Sequence, residues 1–409
     1  MALVEYREAL EQAAARLRAG GPGRVTVVHH NDADGLSSAA VVSAALARAG
    51  YTVGRVPLER VHRPINARLH DELAGTPIIY TDLGGRSGPM IAEVNRGRSL
   101  TLIVDHHMAD PVDDPMTMNL SSELYGVSGE RDISAATAAW FFALALDHKN
   151  LDLAYLGVIG AIGDSHERGG TLVGENRMAM EEAARRGHVR VLEAAGREDY
   201  VLTRFGPDTP LKPLAKALTT LGAAGYAMGG PEIGVQTCLS GPSPEQEHKL
   251  SEMEVIKKRR FEVALGEIGI HGLRQSRHVQ WFSVEDRFAP MGVKMIGEFC
   301  MEIRNSGFID PAKYIAGFQD MPTEIPGLGR FEWDLVKMSM RVPSPLEEKI
   351  VAGAMPGLSW LLPEAARQVD GSIDACHDYA AAALVERGRE EDIVRALDEL
   401  VASRMEHGG

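Results

Sequence analysis

Apolar and polar positions along the first 165 residues alternate between two periods. A β-branched run, Val25, Thr26, Val27 and Val28, reads as a buried strand, and a small-residue helix is expected from about 36 to 49. A strand "YTVGRVPL", a helix near 65–73, a strand "PIIYTDL" and a helix near 87–96 follow. The strand "SLTLIVDHH", a helix over 134–146 and a second helical run, "LDLAYLGVIGAIGD", complete the series. Strands alternating with helices predict a parallel sheet with right-handed crossovers. Residues 175–226 read as helical, with Arg and Glu on one side and Ala and Leu on the other. The stretch "GPSPEQEHKLSEMEVIKKRRFEVALGEI" opens on turn signals and continues as one long charged helix, a connecting rod. Beyond residue 276 short strands ("HVQWFSV", "KYIAGF", "WDLVKMSMRV") mix with helices, ending in a helix from Glu390 to Met405. The expected organisation is a domain over 1–245, a connecting helix over 246–275 and a smaller mixed α/β domain over 276–409, with a cleft between the domains. No internal repeat or low-complexity tract interrupts it.

Bulk composition narrows the class. At 409 residues, with 44% apolar and 24% charged positions, the chain fits a soluble two-domain protein. The opening segment "MALVEYREALEQAAARLRAGG" is amphipathic and charged throughout, unlike a signal peptide. No apolar run reaches the roughly 18 residues of a membrane span. Three separated cysteines (Cys238, Cys300, Cys376) argue against a disulfide framework and for a reducing cytoplasm. A net charge of −14 argues against non-specific coating of nucleic acid. The basic cluster Lys257, Lys258, Arg259 and Arg260 reads as a solvated helix face.

Four apolar segments end in acids or imidazoles, all with the same polarity. "VVHHNDADG" delivers His29, His30, Asp32 and Asp34; "IIYTDLGG" delivers Asp82; "LTLIVDHH" delivers Asp105, His106 and His107; "GVIGAIGDS" delivers Asp164. In a parallel sheet the carboxyl ends of the strands lie along one edge, where ligands bind. A lone Asp after a strand is commonly a turn or cap residue, and a lone His-His pair is weak. Four segments in this order converge. Converging carboxylates raise one another's pKa unless a cation sits among them. Carboxylate with imidazole suits Mn²⁺, Mg²⁺, Fe²⁺ or Zn²⁺, and the absence of nearby Cys argues against a structural zinc site. Six or seven such donors exceed the needs of one ion. Two ions roughly 3.5–4 Å apart, bridged by a carboxylate, form the arrangement that hydrolyses phosphoesters.

The stretches "HNDADG", "TDLGG", "VDHH" and "GAIGDS" resemble the four motifs of the DHH phosphoesterase superfamily, over roughly residues 24–168. The H-x-D-A-D-G form is similar to the archaeal RecJ-like branch more than to the pyrophosphatase branch. The resemblance implies that His30, Asp32 and Asp82 bind one metal ion and that Asp34, Asp82, His106 and Asp164 bind the other, with Asp82 bridging. The ions would be manganese, with magnesium the alternative. His107 would face the scissile phosphate, and Asp105 would orient an imidazole. No family role falls on His29, which is expected to be structural or solvent-facing.

The second half resembles the DHHA1 substrate-binding domain. Where that domain carries a glycine-rich "GGH…AAG" signature, this chain has "ACHDYAAAA": His377 stands in the His position, while Cys376 and Ala382 replace glycines. The departure weakens close phosphate cradling. In "WDLVKMSMRV", Lys337, Ser339 and Arg341 share one face of a strand and are the substrate-binding candidates, with a solvated face as the alternative for Lys337 and Arg341. Phe331 and Trp333 would stack on bases or pack in the core. The implied activity is RecJ-like trimming of single-stranded DNA or RNA to mononucleotides, with a GINS-type replication partner in archaeal relatives. Alternatives are a nanoRNase acting on short oligonucleotides or cyclic-dinucleotide products, a pyrophosphatase, and a non-catalytic scaffold resembling Cdc45.

Overall fold

The structure, a computed structural model, describes residues 2–206 and 208–407. They divide into two compact units within one long helix: one up to Met253 together with Ile325–Gly329, the other from Glu254 to Glu324 and from Arg330 onward.

The first unit contains α1 (Ala2–Ala19), β1 (Arg24–His29), α2 (Ala33–Arg48), β2 (Thr52–Pro57), α3 (Arg63–Glu72), β3 (Ile78–Thr81), α4 (Gly88–Asn95), β4 (Thr101–Val104) and β5 (Thr117–Asn119). There follow α5 (Ala135–Leu146), α6 (Ala154–Gly163), α7 (Gly174–Arg185), β6 (Val189–Ala194), β7 (Arg197–Leu202), β8 (Thr209–Pro210), α8 (Leu211–Thr219), α9 (Gly230–Ser240) and the first part of the long α10 (Pro244–His271). The five strands β2-β1-β3-β4-β5 form an all-parallel sheet. Every residue of β3 and β4 is buried, as a parallel sheet covered on both faces requires. His29 pairs with Thr81 and Thr81 with Val104, so three strands end level with one another. That register lines up the segments that follow them. Helices α2, α5 and α6 are rich in Ala and Gly and share one buried cluster with Leu36, Phe142 and Ile159.

One expectation fails between residues 189 and 202. The stretch read as helical is a β-hairpin, β6 against β7, with β8 added beyond. Ala195 and Gly196 both take positive φ (52° and 75°), as a two-residue hairpin turn requires. Ala194 pairs with Arg197 across that turn. The charged residues of "EAAGREDY" hide the alternation that this hairpin buries through Val189, Tyr200 and Leu202.

The second unit contains β9 (Arg274–Gln275), β10 (Val279–Glu285), α11 (Lys294–Ile303), β11 (Tyr314–Asp320) and β14 (Leu335–Arg341), while β12 (Glu324–Ile325) and β13 (Gly329–Arg330) straddle the ends of the Ile325–Gly329 segment. It continues with α12 (Ser344–Val351), α13 (Leu358–Gln368), β15 (Ser372–Cys376), β16 (Ala380–Glu386) and α14 (Glu390–His407). Six strands in the order β15-β16-β14-β11-β10-β9 form a mixed sheet, parallel only between β10 and β11. Its core includes Trp281, Tyr314, Phe318, Met338, Leu361 and Leu397. The protein is therefore α/β, with a parallel five-stranded sheet and a separate mixed-sheet unit. No helix among the described residues is long and apolar enough to cross a membrane.

Behind β3, His70 is fully buried, with Nε2 3.0 Å from the Tyr80 hydroxyl and Nδ1 3.2 Å from Asn95 Oδ1. Burial favours the neutral ring and holds its pKa down to about 4 from 6.5. The stability from keeping this ring neutral is present above pH 6.5 and is lost as pH falls toward 4, by about 3 kcal/mol at the low end. His70→Gln cannot titrate and should flatten that loss in urea unfolding between pH 7.5 and 4. Parallel pH slopes for variant and parent would contradict this.

Candidate metal centre

The edge formed by β1, β3 and β4 carries the donors. Directly after β1, the chain turns through His30 into α2, and Asp32 caps that helix, its Oδ1 accepting from Gly35 N–H at 3.1 Å. Its other oxygen lies 3.0 Å from His30 Nδ1. Gly35 is required here, because a Cβ would come 2.5 Å from the carbonyl oxygen of His30. Asp34, in the first turn of α2, is fully buried and accepts from Ala135 N–H (2.7 Å) and Ala136 N–H (2.8 Å), the first amides of α5. The carboxylate therefore sits at the positive end of a helix. Gly160 of α6 makes room for it: a Cβ there would overlap Asp34 Oδ1.

Asp82 follows β3 in the left-handed region, at φ 62°. A non-glycine residue held there stores strain, and such outliers concentrate at functional sites. The strained turn aims its two oxygens apart. Oδ2 lies 3.3 Å from His30 Nδ1, and Oδ1 lies 3.5 Å from His106 Nε2. His106 Nε2 is also 3.3 Å from Asp164 Oδ2 and 3.9 Å from Asp34 Oδ2. Donor atoms of His30, Asp32 and Asp82 thus form one compact group, and those of Asp34, Asp82, His106 and Asp164 another.

The electrostatics fit a cation. The ring nitrogen His106 Nδ1 donates to Gly129 O at 2.8 Å, so Nε2 is the nitrogen turned to the carboxylates. Against burial, those carboxylates raise the ring's pKa well above its usual value, and they leave Nε2 to give its lone pair once a cation replaces the proton. That buried Nε2 makes no hydrogen bond, although three carboxylates surround it. A tautomer fixed by a backbone carbonyl, with the opposite nitrogen aimed at acids, is how a metal-ligating histidine is held. Burial, then Asp164 and Asp82, push the Asp34 carboxyl well above its usual range, against His106 and the α5 amides. Burial also raises Asp164, to about 6; His106 opposes this, while Asp82 and Asp32 add to it. Asp164 closes the C-terminal end of α6, where the helix dipole disfavours an anion and welcomes a cation. A divalent ion removes all of these penalties together.

Asp105 lies beneath the cluster, 1% exposed. Burial alone would raise its pKa, but the His107 and His106 charges and the Gly85 N–H hold it well below the usual range. It also accepts from His106 N–H at 2.8 Å and from His107 Nδ1 at 2.8 Å. His107 is half-exposed, anchored by that bond with its other nitrogen free to meet a ligand. His29 is structural: it is 1% exposed, and its Nδ1 donates to His30 O at 2.7 Å.

The remaining candidates belong to the second unit. Lys337 and Ser339 are buried and Arg341 half-buried, so the solvated-face alternative does not describe this side of β14. The face lies under α11, where a Cβ on Gly297 would come 2.8 Å from Arg341 Nη2 and 3.3 Å from Ser339 Oγ. Arg341 Nη1 donates to Met340 O at 2.8 Å, its buried Nε has no partner, and burial lowers its pKa. His377 is exposed, with its amide donating to Ala380 O at 2.8 Å. Phe331 is buried and stacks on Trp333 with 4.9 Å between ring centroids, so core packing accounts for it. Lys257 lies 3.6 Å from Glu298, while Lys258, Arg259 and Arg260 are exposed.

Two further residues escaped the sequence reading, one on the segment after β2 and one beside Asp164. Arg60 follows β2 in "VPLERVHRP"; it is 6% exposed and its Nε and Nη1 have no partners. Leu58 N–H donates to His29 O at 2.8 Å, which fixes this segment beside the first donor group. The signal was a fifth apolar segment, β2, followed by charged residues with the same polarity as the other four. His166, two residues past Asp164, brings a ring nitrogen within 4.8 Å of donor atoms on His106 and Asp164.

Because an ionised Asp164 is disfavoured without a cation, protein in EDTA should gain stability as pH falls through about 6 toward 4. Asp164→Asn should remove that dependence and, in EDTA at pH 7.5, be about 1–3 kcal/mol more stable than the parent. Added Mn²⁺ should reverse the order, by stabilising the parent alone. Thermal melts of both proteins in EDTA and in Mn²⁺ test this, and a less stable variant in EDTA would refute it.

Three comparisons bear on this centre. Residues 24–158 match the model of the DHH family, N-terminal domain. An uncharacterized protein of Methanocaldococcus jannaschii is 27% identical over 175 residues, 42% of this chain and 39% of that protein. RecJ from Thermus thermophilus, solved in complex with Mn²⁺, superposes with a TM-score of 0.62 at 16% identity over 97% of this chain. This chain covers 55% of the length of that RecJ. CDC45 from Entamoeba histolytica superposes at 0.52 and 11% identity, covering 98% of this chain and 99% of that one. At such identities the structural likeness is one of fold. The matched residues 24–158 bring His30, Asp32, Asp34, Asp82, Asp105, His106 and His107 to one sheet edge, and it is this part of the chain that is similar to the DHH family, N-terminal domain.

Proposed function

We propose that this protein is a metal-dependent phosphodiesterase that trims single-stranded DNA or RNA, as a RecJ-like exonuclease. The observation that carries the reading is the split Asp82 carboxylate, which gives one oxygen to each of two donor groups. His30, Asp32 and Asp82 would hold one divalent cation; Asp34, Asp82, His106 and Asp164 would hold the other. Manganese suits this mixed carboxylate and imidazole set, with magnesium the alternative. When bound, the pair supplies an acidified water and positive charge at the reacting phosphate. Asp82 fixes the spacing through its strained backbone, and Asp34 and His106 are locked by backbone partners, so little reorganisation accompanies binding. His107, braced by Asp105, presents its free nitrogen to a phosphate oxygen. Arg60 meets the same phosphate with its two unpartnered nitrogens. Of the second unit's substrate-binding candidates, His377 is exposed and Arg341 half-buried, while Lys337 and Ser339 would need α11 to move before they could touch a ligand.

A nanoRNase acting on short oligonucleotides uses the same centre, and the acidic overall charge favours short substrates. A scaffold like Cdc45 needs no intact donors, whereas this chain keeps every one. Mn²⁺-dependent cleavage of labelled single strands of graded length separates these readings. Stepwise shortening of long strands is expected; preference for 2–5-mers would indicate the nanoRNase, and no cleavage at any length the scaffold. Asp82→Ala should lower turnover more than about a hundredfold while leaving the circular dichroism spectrum unchanged. Near-parental turnover in that variant would end the bridging assignment.

A further inference from the structure

His166 stands beside the centre and plays no part in the reading above, yet its protonation state is fixed by a chain of hydrogen bonds. Asn176 is fully buried. Its Oδ1 accepts from the backbone N–H of Ser134 at 3.0 Å and from Thr137 Oγ1 at 2.7 Å. The Ser134 amide can only donate, so the Asn176 oxygen must face it and the amide cannot be reversed. Asn176 Nδ2 therefore donates to His166 Nδ1, at 2.8 Å. A nitrogen that accepts carries no proton, so the proton of the neutral ring is on Nε2. Neither nitrogen then has a lone pair for a metal ion, although the residue lies among metal-type donors.

The spacing leaves room for a ligand atom between His166 and the donor groups. A ring nitrogen comes within 4.8 Å of donor atoms on Asp164 and His106, but no hydrogen bond or ion pair joins His166 to either. This gap is too wide for a direct bond, and one oxygen atom between them would meet both sides at ordinary distances. Among carboxylates, a fixed N–H donor selects an anionic oxygen brought in by the ligand. We propose that His166 donates its Nε2–H to a non-bridging oxygen of the substrate phosphate, as a catalytic residue that touches substrate and not as a metal ligand. This rests on the phosphodiesterase reading. It adds a neutral donor to His107 and Arg60, one that keeps its single proton wherever the Asn176 bond holds.

Three readouts test it. In magnesium-loaded protein labelled with [¹⁵N]histidine, long-range ¹H–¹⁵N correlation should show His166 as the Nε2–H tautomer, assigned by its loss in His166→Phe; Asn176→Asp should convert it to Nδ1–H. Mn²⁺ titration followed by electron paramagnetic resonance should give His166→Phe an affinity within about twofold of the parent; a ligand would lose about 10- to 100-fold. On a single-stranded pentanucleotide at saturating Mn²⁺, both His166→Phe and Asn176→Asp should lower kcat by about 10- to 100-fold, the effect of one hydrogen bond to a charged group. An Nδ1–H or doubly protonated ring in the parent, weakened Mn²⁺ binding, or parental kcat in His166→Phe each overturns the inference. Parental kcat in the variant leaves the phosphodiesterase reading standing, whereas a parent that cleaves no phosphodiester overturns both.

Discussion

Mutual repulsion among buried carboxylates is the constraint around which the first unit is arranged. Asp34, Asp82 and Asp164 crowd one histidine nitrogen at 3.3–3.9 Å. Hydrophobic burial alone would never select such a cluster, because each ion is disfavoured by lost hydration and by its neighbours. The fold holds it through backbone dipoles. Two α5 amides bind Asp34, the Gly129 carbonyl orients His106, and the Gly85 amide with those of residues 106 and 107 binds Asp105. These groups cannot rotate away, so the cluster stays poised for divalent charge.

That arrangement explains the composition of the surrounding helices. To bring the α5 amides against an α2 carboxylate, three helices must approach closely, and only small side chains allow it. A Cβ on Gly160 would invade Asp34, and one on Gly163 would come 2.7 Å from Ala33 Cβ. The alanine and glycine content of α2, α5 and α6 is thus an electrostatic requirement expressed as packing. Large residues such as Phe142 and Leu36 fill the rest of the shared core.

The sheet and its reactive edge were legible in the sequence because two signals coincide there. β-Branched runs mark buried parallel strands, and polar residues at their ends share one polarity. His30, Asp32, Asp82 and His106 could be named from that pattern alone. Arg60 obeyed the same rule, but it lies three residues beyond the end of β2, a half-exposed strand whose last residue is a proline. The β6–β7 hairpin was hidden because one of its faces is charged and its turn depends on positive φ at Ala195, a residue that does not advertise it. On β14 the period-two pattern correctly put Lys337, Ser339 and Arg341 together, but their burial under α11 depends on Gly297, over forty positions from Arg341 in sequence. His166 was next to a quoted motif, yet its role depends on Asn176, whose amide has no chemical signature in a linear reading.

Two histidines beside the centre show how the partner of one ring nitrogen sets the other. His107 is braced by a carboxylate: burial and His106 oppose its charge, but Asp105 outweighs them and raises its pKa. His166 is braced by a neutral amide, and burial with the nearby His106 charge lowers it to about 3. The same side chain thus appears once with a negative anchor and once with a neutral one, on either side of a cluster that binds positive charge. In the reaction proposed above, an anionic anchor would let His107 take or release a proton as charge develops at phosphorus, the property a proton-transfer group needs. A neutral anchor denies His166 that freedom and leaves it a donor of fixed sense. Exchanging the anchors, carboxylate for amide at 105 and amide for carboxylate at 176, would exchange those properties, so the acids and amides behind the imidazoles decide what each imidazole can do.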